Sequence, residues 1–77
     1  MRIGLLLFDQ VDLLDVGGPY EVFLTANRLA ERRGIETPFE LVTIGVSESP
    51  IESYGGLGLT ASCSVEDTGV LDVLIVP

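Results

Sequence analysis

The chain has 77 residues, 47% hydrophobic and 21% charged, a balance that supports a buried core and lies far from disordered compositions. Twelve Asp and Glu against four Lys and Arg give a formal net charge of −8, which opposes direct binding to nucleic-acid phosphates or anionic lipid. With no histidine and Cys63 as the only cysteine, the chain contains no Ser-His-Asp or Cys-His arrangement, no internal disulfide and no cysteine-based metal site.

Residues Arg2 to Phe8 form a nearly continuous aliphatic run, the pattern of a strand buried on both faces of a parallel sheet. Asp9 and Asp12 interrupt the run before it reaches membrane-spanning length, and no signal-peptide cleavage pattern follows, so a cytoplasmic protein without membrane contact is the expectation. Pro19, Val22, Phe23, Ala26, Leu29 and Ala30 recur at three- and four-residue steps and predict one amphipathic helix over about Val16 to Arg33. Pro19 is then tolerated in the first turn, and Gly34 is expected to close the helix in the left-handed conformation.

Phe39 to Ile44 is rich in aromatic and β-branched residues and predicts a second strand, completing a right-handed βαβ unit. Ile51-Glu52-Ser53 and Leu57-Gly58-Leu59-Thr60, joined by Tyr54-Gly55-Gly56, predict a small hairpin appended to the sheet. Ser64 is placed to cap a short turn that includes Asp67 and ends at Gly69. Leu71 to Val76 then predicts a third buried parallel strand ending at Pro77, at the sheet edge where ligands of open α/β folds bind. Such folds usually need more than about 100 residues. Residues 1–77 are therefore read as the N-terminal part of a single, incomplete three-layer α/β domain, with one sheet face left to be covered by other structure.

The segment from Phe8 to Phe23 resembles the first strand-to-helix junction of the DJ-1/PfpI superfamily, within the class I glutamine amidotransferase-like proteins. Asp15, Gly18, Pro19, Glu21 and Val22 supply a D-x-x-G-P-x-E-V pattern similar to that of isonitrile hydratase-like proteins and of the N-terminal domains of AraC-type regulators. The glycine-rich hairpin and the closing Leu71 to Pro77 strand extend the likeness along the whole chain. The resemblance implies a flavodoxin-like three-layer sandwich, a homodimer and a small-molecule substrate or ligand, without cofactor or metal. It also implies that a Gly-Gly loop and an elbow bearing a reactive cysteine belong after Pro77.

By resemblance Asp15 is the acidic catalytic residue that lies beside the elbow thiol and shares a proton with it. Its structural alternative is the N-cap of a helix beginning at Val16, a frequent use of Asp. Gly17 and Gly18 are the substrate-binding candidates, since a missing side chain lets a ligand approach the backbone; helix-entry geometry is their other use. Glu21 falls on the polar side of the helix and receives no catalytic role. Cys63 lacks the glycine-flanked strand-to-helix turn of an exposed nucleophile and is read as an inert thiol. Tyr54 is either a pocket lip or a turn aromatic.

Two functions remain. One is a cysteine-dependent hydratase or hydrolase, isonitrile hydratase-like, with Asp15 as acid/base partner to a thiol outside these residues. The other is a ligand-sensing or dimerisation domain of an AraC-type regulator. The glyoxalase and deglycase branch fits less well, because those relatives usually carry Glu where this chain has Asp15.

Overall fold

Along the first strand Ile3, Leu5 and Leu7 are all buried, and the run continues as expected into a parallel sheet. The computed structural model describes residues 1–77. Its elements are β1 (Arg2–Leu7), α1 (Leu13–Arg32), β2 (Glu40–Gly45), β3 (Ile51–Glu52), β4 (Gly58–Leu59), β5 (Cys63–Ser64), a 3-10 turn (Val65–Asp67) and β6 (Val73–Ile75). β5, β2, β1 and β6 form one sheet in that order, with every pairing parallel. The β1–β2 register runs from Arg2 opposite Glu40 to Leu7 opposite Gly45. This is a mixed α/β architecture and a partial flavodoxin-like fold.

Successive strand residues point to opposite faces. Leu7 packs with Val11 and with Val16 of α1 on one side. Gly4 faces the other side, where an added Cβ would lie 2.5 Å from Ile44 Cδ1 and 2.7 Å from Leu71 Cδ1. The β5-to-β6 crossover thus lies close over β1, and Gly4 makes the approach possible. Arg2 ties this crossover down, donating from its guanidinium to the carbonyls of Thr68 and Val70 and from its amide to Asp72.

The helix begins three residues before the expected Val16. Asp12, in extended conformation, is the N-cap, although its side chain makes no capping bond. Asp15 is therefore the third helical residue and not a cap, which corrects the structural alternative given to it above. Pro19 correspondingly lies in the helix interior rather than in its first turn. At the other end the expectation for Gly34 holds, with φ at 70°. Gly34 donates to the Glu31 carbonyl and Ile35 to the Ala30 carbonyl, the paired bonds of a Schellman closure.

The inward face of α1 is also rotated from the expected one. Val16 and Ala30 are buried and Phe23 and Asn27 half-buried, whereas Val22 and Leu29 are exposed. Asn27 enters this face because both ends of its carboxamide are used: Nδ2 donates to the Phe39 carbonyl at 2.7 Å and Oδ1 accepts the Phe39 amide at 3.0 Å. The Phe23 and Phe39 rings meet edge to face, 4.9 Å between centroids. The helix and the residue that leads into β2 are thereby joined by two hydrogen bonds and one aromatic pair.

Two sheet expectations are also corrected. The hairpin is not appended to the main sheet: β3 and β4 form a separate antiparallel pair. The main sheet has a fourth strand, β5, which holds Cys63 and pairs with Ile44 and Gly45 of β2. β6 is shorter than Leu71 to Val76, and Val73 and Leu74 are exposed along it, as is Val76 just after it. No helix is long and apolar enough to cross a membrane.

Candidate functional site

The chain leaves β1 toward β2 and β5 on one side, and returns to pair β6 on the other. That reversal makes the carboxyl end of β1 the topological switch point, where open α/β sheets bind ligands. The segment from Phe8 to Asp12 carries the chain from this point into α1.

The segment begins with a tight turn in which the Val11 amide donates to the Phe8 carbonyl at 3.1 Å. Gln10 holds the left-handed position of that turn at φ 68°, the only non-glycine residue with positive φ. The hairpin grips the turn from outside. Gln10 donates its amide to the Glu52 carbonyl at 2.7 Å and Tyr54 donates to the Val11 carbonyl at 3.0 Å. The Glu52 amide in turn donates to Asp9 Oδ1 at 3.1 Å. Asp9, Gln10 and Glu52 carried no signal in the sequence patterns, because the contact between them is non-local.

Asp15 follows in the first turn of α1, its side chain exposed and without a hydrogen-bond partner in these 77 residues. Its backbone amide donates to the Asp12 carbonyl at 3.0 Å. Gly17 lines an open cavity of about 340 Å³ between the helix, the sheet and β4. Leu7, Val16 and Leu59 form its apolar wall, and Tyr20, Thr43 and Thr60 bring hydroxyl groups. Asp15 and Gly18 do not line this cavity, so the structure places only one of the three predicted site residues there. An added Cβ at Gly17 or Gly18 would meet nothing within 4 Å. Close packing inside this chain therefore requires neither glycine.

Cys63 is half-buried on β5, with Sγ 3.7 Å from the Thr43 carbonyl oxygen. β5 runs into the three-residue 3-10 turn Val65–Asp67 and not into an α-helix. No group of three or more Cys, Asp or Glu side chains is arranged to hold a metal ion.

The fold is that of a partial, parallel-sheet α/β domain, and known proteins share it. No family model matches the chain. It is 36% identical over 77 residues to an isonitrile hydratase of Pseudomonas putida, covering all of this chain and 29% of that protein. It is 32% identical over 75 residues to an uncharacterized protein in the cpoL 5' region of Streptomyces lividans, covering 97% of this chain and 49% of that one. The chain thus spans less than half the length of each of these curated relatives.

Among solved structures, an AraC family transcriptional regulator from Pseudomonas putida superposes with a TM-score of 0.78 at 24% identity, over 97% of this chain and 44% of that one. A DJ-1 superfamily protein from Agrobacterium tumefaciens superposes with a TM-score of 0.67 at 22% identity, over 100% of this chain and 37% of that one. At such identities the structures speak for the fold. The sequence matches and the structures together show a chain similar to part of an isonitrile hydratase, with a fold shared by a DJ-1 superfamily protein.

Proposed function

We propose that these residues form the N-terminal part of a DJ-1/PfpI-type domain that hydrates or hydrolyses a small molecule in the manner of an isonitrile hydratase. The observation that carries this reading is the position of Asp15. It stands one helical turn past the switch point, in a chain 36% identical over its full length to an isonitrile hydratase. Its exposed carboxyl is free to serve a thiol supplied from outside these 77 residues, exchanging a proton as the thiol attacks and is released. Gly17 and Gly18 would keep the backbone at the helix entry open to substrate. The whole protein acts as a homodimer in this reading and needs no cofactor.

The test is hydration of a small alkyl isonitrile to the corresponding formamide by the full-length protein, followed by chromatography. Turnover that is lost when thiols are alkylated supports the hydratase. Absence of turnover under conditions where the protein is folded rejects it.

A second reading is favoured by one specific observation, the TM-score of 0.78 to an AraC family regulator. Here the same domain senses a ligand or dimerises ahead of a DNA-binding unit. The net charge of −8 assigns nucleic-acid contact to another part of such a protein. Sequence-specific DNA retention by the full-length protein, together with no isonitrile turnover, would select this reading.

A further inference from the structure

We infer that Asp9 is a positioning residue for the helix entry that carries Asp15, acting through the β3–β4 hairpin. The inference rests on the reading of Asp15 given under Proposed function and adds a residue that the superfamily motif does not include. Its basis is a continuous set of bonds between the hairpin and the strand-end turn.

Gln10 adopts φ 68°, a conformation that a side chain with Cβ disfavours and that persists only where surrounding contacts impose it. Those contacts are on the hairpin: Gln10 donates to the Glu52 carbonyl at 2.7 Å and Val11 accepts from Tyr54 at 3.0 Å. Both require Glu52 and Tyr54 to stay in place. β3 has only two residues and pairs only with β4, so its own ladder holds it weakly. Besides these two backbone bonds and the packing of Ile51 against Leu7, Val11 and Val16, the one side-chain bond between β3 and the turn is from the Glu52 amide to Asp9 Oδ1, 3.1 Å, strengthened by the carboxylate charge.

Asp9 therefore closes a ring of contacts that runs from its side chain to Glu52, from Glu52 to Gln10, and back along the chain. Val11, buried between Leu7 and Val16, transmits the position of the turn to the first turn of α1. Without the Asp9 carboxylate, Gln10 can relax toward negative φ, and the path from β1 to Leu13 changes. A displacement of about 1 Å at a reacting group is enough to cost on the order of a hundredfold in rate.

The experiment compares Asp9→Ala and Asp9→Asn in the full-length protein. Asn keeps an acceptor oxygen at the same reach; Ala has none. Amide hydrogen exchange should speed up about tenfold at Glu52 and Gln10 in Asp9→Ala, and the Leu13 to Asp15 amide resonances should shift. Asp9→Asn should restore both. With a small alkyl isonitrile as substrate, Asp9→Ala should lower kcat about tenfold or more with KM little changed, and Asp9→Asn should recover it.

Unchanged exchange at Glu52 and Gln10 in Asp9→Ala would overturn the inference. So would faster exchange with unmoved Leu13 to Asp15 resonances, or with unmoved kcat where the wild type is active. If the wild type turns over no isonitrile, the hydratase reading fails, while the exchange and resonance results still decide whether Asp9 positions the helix entry.

Discussion

Pro19 is the residue whose N–H would close the helical hydrogen bond on the Asp15 carbonyl, and it has none to give. The unbroken helix therefore lacks one bond of its ladder near its start, next to two glycines that also disfavour it. The weakest stretch of α1 and the residue assigned to proton transfer coincide. Pro19→Ala supplies the missing donor. A proline inside a helix costs about 3 kcal/mol relative to alanine, offset by up to about 1 kcal/mol from the greater freedom of the unfolded chain. A net gain of about 2–3 kcal/mol in thermal or urea unfolding is expected, with a protected amide at position 19. A drop in stability would show that the proline ring, rather than the lost bond, governs the site.

Asn27 offers a sharper test of the packing. Its carboxamide is matched at both ends by the Phe39 backbone, so Asn27→Ala leaves two partly buried backbone groups unpaired. We expect a loss of about 1–3 kcal/mol in urea unfolding. Asn27→Asp keeps the acceptor for the Phe39 amide but places a charged oxygen against the Phe39 carbonyl, and should be no more stable than the alanine variant above neutral pH. An unaffected midpoint for both variants would mean that α1 is held on the sheet by its apolar contacts, at Val16 and in the Phe23–Phe39 pair, without help from the Asn27 bonds.

These two residues also mark what the sequence reveals and what it hides. β1 and β2 are legible because each is a continuous run of strand-forming side chains, and Gly34 is legible because a helix closure of this kind almost demands glycine. The helix start is not. Gly17, Gly18 and Pro19 imitate a boundary, and only the tertiary position of Val11 and Val16 beside Leu7 carries the helix across them. β5 escapes because two residues, Cys63 and Ser64, are too few to show any period. Asn27 looks like surface on a helical wheel, since its partner is a backbone twelve residues away. Asp15 and Gly18 belong to a local motif and Gly17 adjoins it, whereas the Asp9–Glu52 contact, 43 residues apart in sequence, has no local signature.

Gln10 provides a measure of the strain at the strand end. At φ 68° a non-glycine residue is disfavoured by about 1–2 kcal/mol. Gln10→Gly removes that strain, and the unfolded chain's added freedom offsets part of the gain. The variant should be as stable as the parent or up to about 1 kcal/mol more stable in chemical denaturation. Gln10→Val, branched at Cβ, should lose more than about 1 kcal/mol. If valine is tolerated as well as glycine, the turn does not hold the left-handed conformation in solution.

Cys63 should behave as a structural thiol. It is half-buried on a two-residue strand, with only a long contact to the Thr43 carbonyl. No cation lies near it in sequence to favour the thiolate. Cys63→Ser should change stability by no more than about 1 kcal/mol and leave any turnover of the full-length protein intact. Loss of turnover with the fold preserved would place Cys63 in the chemistry and displace the external thiol.

The decisive variant is Asp15→Asn. As the third residue of α1, Asp15 has a purely structural use, its charge favouring the helix N-terminus by about 0.3–1 kcal/mol. That use predicts a small drop in melting temperature and unchanged turnover. A proton-transfer role predicts the reverse. Asparagine fills the same volume but can neither take nor give the proton, so kcat should fall by about a hundredfold or more, while the melting temperature changes no more than the loss of a helix-end charge allows. Exposure of the carboxyl within these 77 residues makes the separation clean, because no buried partner is left unpaired by the substitution. Turnover and thermal unfolding on the same preparation therefore distinguish the two, and full activity in Asp15→Asn would end the enzymatic role assigned to this residue.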